Sequence, residues 1–259
     1  MLNKYMEFAK EIASYAGKIM LEYFNLDKAS EYKEDETIVT IVDKKINKHL
    51  IEKVKEKYPE HSVIGEEESY GNSNQIWICD PIDGTAMYAR KIPVSVFSLA
   101  FMIDGEPLIG VVYDPFTNNL YSAIKGQGAY KNNEKINVSS IDLNDKRSVS
   151  HYDMWKDSEY DLYDAIKELG KNTYLISIGS IIRASMCVAQ GDFTFAIFPG
   201  TINKNCDIAA VKIIVEEAGG IVTDIFGNNQ KYDKNIKGAI ISNKVVYKKI
   251  IDILKKVSI

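Results

Sequence analysis

Two aspartates three residues apart, Asp80 and Asp83, end the apolar run Gln75-Ile76-Trp77-Ile78-Cys79 and lie within Asp80-Pro81-Ile82-Asp83-Gly84-Thr85. A short apolar run that terminates in charge predicts a buried strand opening onto a turn. Carboxylates at this spacing can converge on one point, with the Ile82 carbonyl as a third oxygen. Hard divalent cations such as Mg²⁺ take oxygen ligands of this kind. Without a cation the two charges would repel each other and lose hydration. Taken alone, Asp-x-x-Asp also fits a simple capped turn. Two further acidic elements strengthen the metal reading. Glu66-Glu67-Glu68 follows Ser62-Val63-Ile64-Gly65, a second short strand running into acid. Asp207 opens a stretch with Ile213, Ile214 and Ala218 at helical spacing that stops at Gly219-Gly220. This places Asp207 at or near a helix N-cap, with glycine closing the other end.

Several elements must position these groups. Leu2, Tyr5, Met6, Ala9, Ile12, Ala13, Ala16, Ile19 and Met20 recur at helical spacing and predict one long amphipathic helix. The acid-rich segment from Asn25 to Thr37 has no period and reads as a mobile loop. Residues 43–58 read as a second helix. Val94–Ile103, Leu108–Asp114 and Leu120–Ile124 read as antiparallel strands joined by turns at Asp104-Gly105 and Asn118-Asn119. After Ser140 the pattern alternates: helix over 158–169, strand over 173–178, helix over 180–189 capped by Gly179-Ser180, and strand over 193–198. The helix of Asp207 follows, then strands over 221–224 and 238–241 and a last helix from Lys244. Such alternation predicts an α/β half behind a more antiparallel α+β half. The expected division is 1–140, carrying most of the acids, and 141–259, contributing Asp207 and its preceding loop.

Composition narrows the function classes. The 259 residues are 46% hydrophobic and 26% charged, with a net charge of −4, as in ordinary soluble globular chains. That balance argues against binding a nucleic-acid polymer, which calls for a basic face. The three cysteines share no metal-binding spacing, so neither a zinc site nor a disulfide framework is expected. His49, His61 and His151 are not spaced as ligands, and Trp77 and Trp155 read as packing residues. Arg183 falls in the Ser180 helix with no assigned side. Neither a secretory leader nor a membrane-spanning run is apparent, so a cytoplasmic protein without a membrane partner is expected.

Gly65-Glu66-Glu67, Asp80-Pro81-Ile82-Asp83-Gly84-Thr85 and Asp207-Ile208-Ala209-Ala210 through Glu217-Ala218-Gly219-Gly220 resemble the inositol monophosphatase family of Mg²⁺-dependent, lithium-sensitive phosphatases. Val39-Thr40-Ile41-Val42-Asp43 is similar to a further family element, and the resemblance runs over nearly the whole chain. It implies a layered α-β-α-β-α sandwich of the sugar-phosphatase type and a small-molecule phosphate ester as substrate. A homodimer and two or three Mg²⁺ ions are implied as well. Glu67, Asp80 and the Ile82 carbonyl would hold the first ion, and Asp80, Asp83 and Asp207 the second. Thr85 with Asp43 would activate the attacking water, and Glu67 would serve catalysis through the metals. Asp83, Gly84, Thr85, Lys33, Ser180, Gly200 and Lys204 would contact substrate.

Three positions depart from the family pattern. Cys206 replaces a tryptophan, Met87 replaces an asparagine, and Gly200 stands where inositol-selective members carry an acid that grips sugar hydroxyls. With Lys204 four residues on, this loop suggests a second anionic group on the substrate. Fructose-1,6-bisphosphatase, histidinol-phosphatase and 3′-phosphoadenosine nucleotidase activities stand as alternatives to a sugar or polyol monophosphatase. A non-catalytic protein that retains the fold is the remaining reading.

Overall fold

The computed structural model describes residues 2–24, 30–32, 38–154, 158, 160–200 and 205–256, with backbone alone at 30–32 and 38–40. Its elements are α1 (Leu2–Tyr23), β1 (Ser30–Tyr32), β2 (Ile38–Thr40), α2 (Ile41–Lys57), β3 (Ser62–Gly65), β4 (Gln75–Asp83) and α3 (Thr85–Ala89). Next come β5 (Val96–Ile103), β6 (Glu106–Asp114), β7 (Asn119–Ile124), β8 (Ala129–Lys131), β9 (Glu134–Ile136), β10 (Val149–Tyr152) and α4 (Tyr163–Leu169). The chain ends with β11 (Tyr174–Ile176), α5 (Ile181–Ala189), β12 (Phe195–Phe198), α6 (Asn205–Glu217), β13 (Ile221–Thr223), β14 (Ala239–Ser242) and α7 (Tyr247–Leu254).

Strands β3 to β9 form a seven-stranded sheet in sequence order, parallel only at β3–β4. Alternation along its strands feeds two cores. Trp77, Cys79, Phe97, Leu99 and Phe101 face α1 and α2. Ile76, Ile78, Val96, Ala100 and Met102 face the opposite way, onto α5 and α6. Those two helices also pack on the second sheet, of order β11-β10-β12-β14-β13, through Ala196, Phe198 and Ile241. Phe195, Ile197 and Ile240 on its far side meet α4 and α7. The layers are therefore α-β-α-β-α. Helix α6 lies close on β6: a Cβ added at Gly110 would sit 2.5 Å from Ile213 Cγ2. At its end the Glu217 carboxylate accepts the Gly126 and Gly128 N–H groups, both at 2.7 Å, which fastens the β7–β8 turn.

Several elements differ from the sequence reading, among them the short strand β8, which was not expected. Ser30–Tyr32, expected in a loop, pairs antiparallel with Ile38–Thr40. Strand β4 continues through Asp83 by a register shift between Asp80 and Asp83, so the turn is a bulge in the strand rather than its end. Helix α4 starts five residues later than expected, at Tyr163, whose N–H is accepted by Asp161 Oδ1 at 2.9 Å. Strand β10 was not anticipated; its Val-Ser-His-Tyr composition hides a strand that buries Ser150 and His151.

Candidate active site

Strand β4 is buried along almost its whole length and carries Asp80 and Asp83 into the interior at its end. Asp80 Oδ1 accepts the Ile82 N–H at 3.0 Å, which bends the chain at Pro81. The Ile82 carbonyl in turn accepts the Thr85 hydroxyl at 2.9 Å. Gly84 follows at φ 82°, a conformation that favours glycine. A Cβ there would lie 2.8 Å from the Gly179 carbonyl, so the turn is also pressed against the chain before α5. Ser95 Oγ donates to the Gly84 carbonyl at 2.9 Å, and the Tyr88 hydroxyl donates to the Met20 carbonyl at 2.6 Å. Together these bonds fix α3, whose first N–H groups lack intrahelical acceptors.

Asp83 reaches across to the other half of the molecule. Its Oδ2 accepts the Ser180 hydroxyl and, at 2.8 Å, the Ile182 N–H. Ser180 Oγ also accepts the Arg183 N–H at 3.1 Å, so Ser180 and Asp83 jointly cap α5. Burial raises the proton affinity of Asp83 well above the ordinary carboxylate range, and the Asp207 charge raises it further. Bonds from Ser180 and Ile182 oppose that rise, and Asp153 adds to it. Asp207 stands in the first turn of α6, 3% exposed, as the sequence placed it.

The remaining acids approach from the first half. Asp43 lies in the first turn of α2 and is buried. Burial pushes the Cys79 thiol up, and the charges of Asp80, Glu66 and Asp43 push in the same direction. All three carboxylates thus lie within electrostatic reach of one side chain. Glu67 is half-buried in the turn after β3. That turn is held by the Asn47 Nδ2 bond to the Glu68 carbonyl at 2.9 Å and by paired bonds between Val63 and Tyr70.

Two expectations are modified. Among the described residues, no group of three acids, histidines or cysteines is already drawn tightly enough together to hold a metal. Asp80 and Asp83 each commit an oxygen to a backbone N–H group. The Thr85 proton goes to the Ile82 carbonyl, so the expected bond to Asp43 is not the one this hydroxyl makes. Gly200 has φ 82°, and a Cβ there would lie 2.6 Å from the Gly238 nitrogen. No acid fits at position 200 without displacing that backbone. Lys33, Lys204 and Trp155 lie outside the described residues. Arg183 pairs with the buried Asp114, away from the acids. Asn47, Ser95 and Asp153 were not anticipated. Their signal is spatial, since each acts on a residue far away in the chain.

The oxygen-rich donors suit a hard cation, and a divalent ion could take the place of the proton that Asp83 retains beside Asp207.

The family model for the inositol monophosphatase family matches residues 1–258. An inositol monophosphatase of Dictyostelium discoideum is 29% identical over 98% of this chain and 96% of its own length. A fructose-1,6-bisphosphatase/inositol-1-monophosphatase of Aquifex aeolicus is 31% identical over 98% and 97%. Among solved structures, the Thermotoga maritima IMPase superposes with a TM-score of 0.86 at 27% identity, covering 98% of this chain and 97% of that one.

Proposed function

The chain belongs to the inositol monophosphatase family, and from that premise we propose that it is a Mg²⁺-dependent phosphomonoesterase of small sugar or polyol phosphates. The observation that carries this reading is the Asp83 carboxylate, buried against Asp207 and tied to the N-terminus of α5. Glu67, Asp80 and the Ile82 carbonyl would hold one ion, Asp80, Asp83 and Asp207 a second, and Glu67 would lean on a third. When bound, the ions would neutralise the phosphate, acidify a water and support the leaving oxygen.

The chain's own groups supply orientation and proton transfer. The N–H groups of Gly84 and Thr85, at the start of α3, would receive phosphate oxygens. Thr85, once its hydroxyl turns from Ile82 toward Asp43, would align the attacking water and pass its proton to Asp43. The water oxygen then joins phosphorus as the ester oxygen departs. Ser180 and the α5 N-terminus would hold Asp83 in place, with Ser180 bordering the substrate. The case for a second anionic group on the substrate rests on Lys204, outside the described residues, so a monophosphate of a hydroxyl-rich alcohol is the reading adopted. Purified protein with Mg²⁺ and a panel of phosphate esters tests it. Phosphate release from sugar or polyol monophosphates is expected, and no release from any ester would overturn the proposal.

A further inference from the structure

The close packing of Gly200 on Gly238 leaves no room for a hydroxyl-gripping acid at position 200, in the loop after β12. A different acid stands beside that loop. Asp153 follows β10, the strand paired in parallel with β12, and its N–H donates to the Ile197 carbonyl at 3.0 Å. It therefore lies one strand over from Phe198, two residues before Gly200. Parallel strands present ligands at their C-terminal ends, and Asp153 is at that end of β10.

Its surroundings are built around the carboxylate. Ser177 Oγ donates to Asp153 Oδ1 at 3.2 Å. His151, fully buried, accepts the Ile178 N–H on Nδ1 at 3.3 Å. This leaves the ring proton on Nε2, which lies 3.2 Å from Asp153 Oδ2, off the line of a well-formed hydrogen bond. Among the described residues, no lysine or arginine is paired with Asp153. Yet its side chain is only 10% exposed. A carboxylate so far withdrawn from water without a cation costs stability, unless a ligand completes its bonding. Ser177 and Ile178 lead directly into Gly179-Ser180, the segment that touches Gly84 and bonds Asp83. Asp153 also bears electrostatically on Asp83. It is thus joined to the candidate metal ligands through the Ser177–Ser180 segment.

Building on the proposed phosphatase reading, we infer that Asp153, oriented by Ser177 and His151, accepts hydrogen bonds from hydroxyls of the substrate's alcohol. It would supply from β10 the acid that has no room at position 200. Each of its oxygens has a second lone pair for a substrate O–H. The preferred substrates are then monophosphates of uncharged, hydroxyl-rich rings, since a second anion would meet this carboxylate as a like charge.

The test compares kcat/KM for inositol 1-phosphate and for p-nitrophenyl phosphate, whose alcohol has no further hydroxyls, in the full chain with Mg²⁺. Asp153→Asn should lower the ratio of the first to the second about tenfold or more, mainly through KM, as expected for losing hydrogen bonds to a charged group. The Mg²⁺ concentration for half-maximal rate should stay at the wild-type value. An equal loss on both esters, a shifted Mg²⁺ midpoint or an unchanged ratio would each overturn the inference. Should Asp153→Asn fail to fold, Ser177→Ala decides: a smaller loss confined to the inositol ester is expected, and no selective loss rejects the role. If the wild type cleaves neither ester, the phosphatase reading itself falls and this inference falls with it.

Discussion

At the scale of single residues, the chemistry gathers where like charges are forced together. Asp80 is the carboxylate assigned to both ions, so Asp80→Asn should reduce turnover below about a tenth of wild type at saturating Mg²⁺. A thermal melt that matches wild type would show that the loss is chemical. Asp83 gives a second prediction, in metal-free protein. Burial and Asp207 raise its folded-state proton affinity, so the folded chain holds a proton that the unfolded chain has released. Stability should therefore fall as pH rises above the ordinary carboxylate range. Asp83→Asn should flatten that slope, and Mg²⁺ should reverse it. Melting temperatures across pH 5 to 8, with and without chelator, would read the sign; rising stability in the metal-free protein would refute it. The buried positions of Asp80 and Asp83 were legible in the sequence because an apolar run ends in them, and that of Asp207 because it opens a helical repeat. Asn47 and Asp153 were not, since a buried polar residue announces its role only through its partner.

At the scale of elements, short connections decide what the strands present. Asn47, on α2, ties the Glu66–Glu68 turn through a single bond to the Glu68 carbonyl. Asn47→Ala should cost about 1–3 kcal/mol, typical of a lost buried hydrogen bond. It should also raise the Mg²⁺ requirement, because Glu67 is carried on that turn. Denaturant melts and a Mg²⁺ titration of activity check the two effects separately. Gly200→Glu would put an acid where inositol-selective relatives are expected to have one. Here it should destabilise the fold by about 1–3 kcal/mol, through positive φ and the clash with Gly238. It should not improve KM for inositol 1-phosphate; better affinity with undiminished stability would count against this account of the loop. Helices and long strands were legible from periodicity. The β4 bulge, β8 and β10 were not, because three- and four-residue strands carry too few alternations and β10 buries polar side chains.

At the scale of the whole molecule, α5 and α6 belong to both sheets. They pack on β4–β6 and on β12 and β14 within one apolar cluster. The two sheets should therefore unfold together, in one cooperative transition. Calorimetry, with near- and far-ultraviolet circular dichroism on the same sample, should give one coincident midpoint; two resolved transitions would contradict the shared core. The layer order was legible in the sequence through family resemblance, whereas the double duty of α6 was not, because that helix is buried nearly all round and shows little of the periodicity that assigns a face. The bond from Ser180 to Asp83 has a consequence for a chain still being made. Asp83 is synthesised 97 residues before Ser180, and Asp207 later still. A ribosome that has completed the first sheet has already released Asp80-Pro81-Ile82-Asp83-Gly84-Thr85, yet neither the cap for Asp83 nor its opposing carboxylate exists. If Asp207 completes the proposed site, a chain terminated before α6 is expected to release no phosphate from esters that the full chain cleaves.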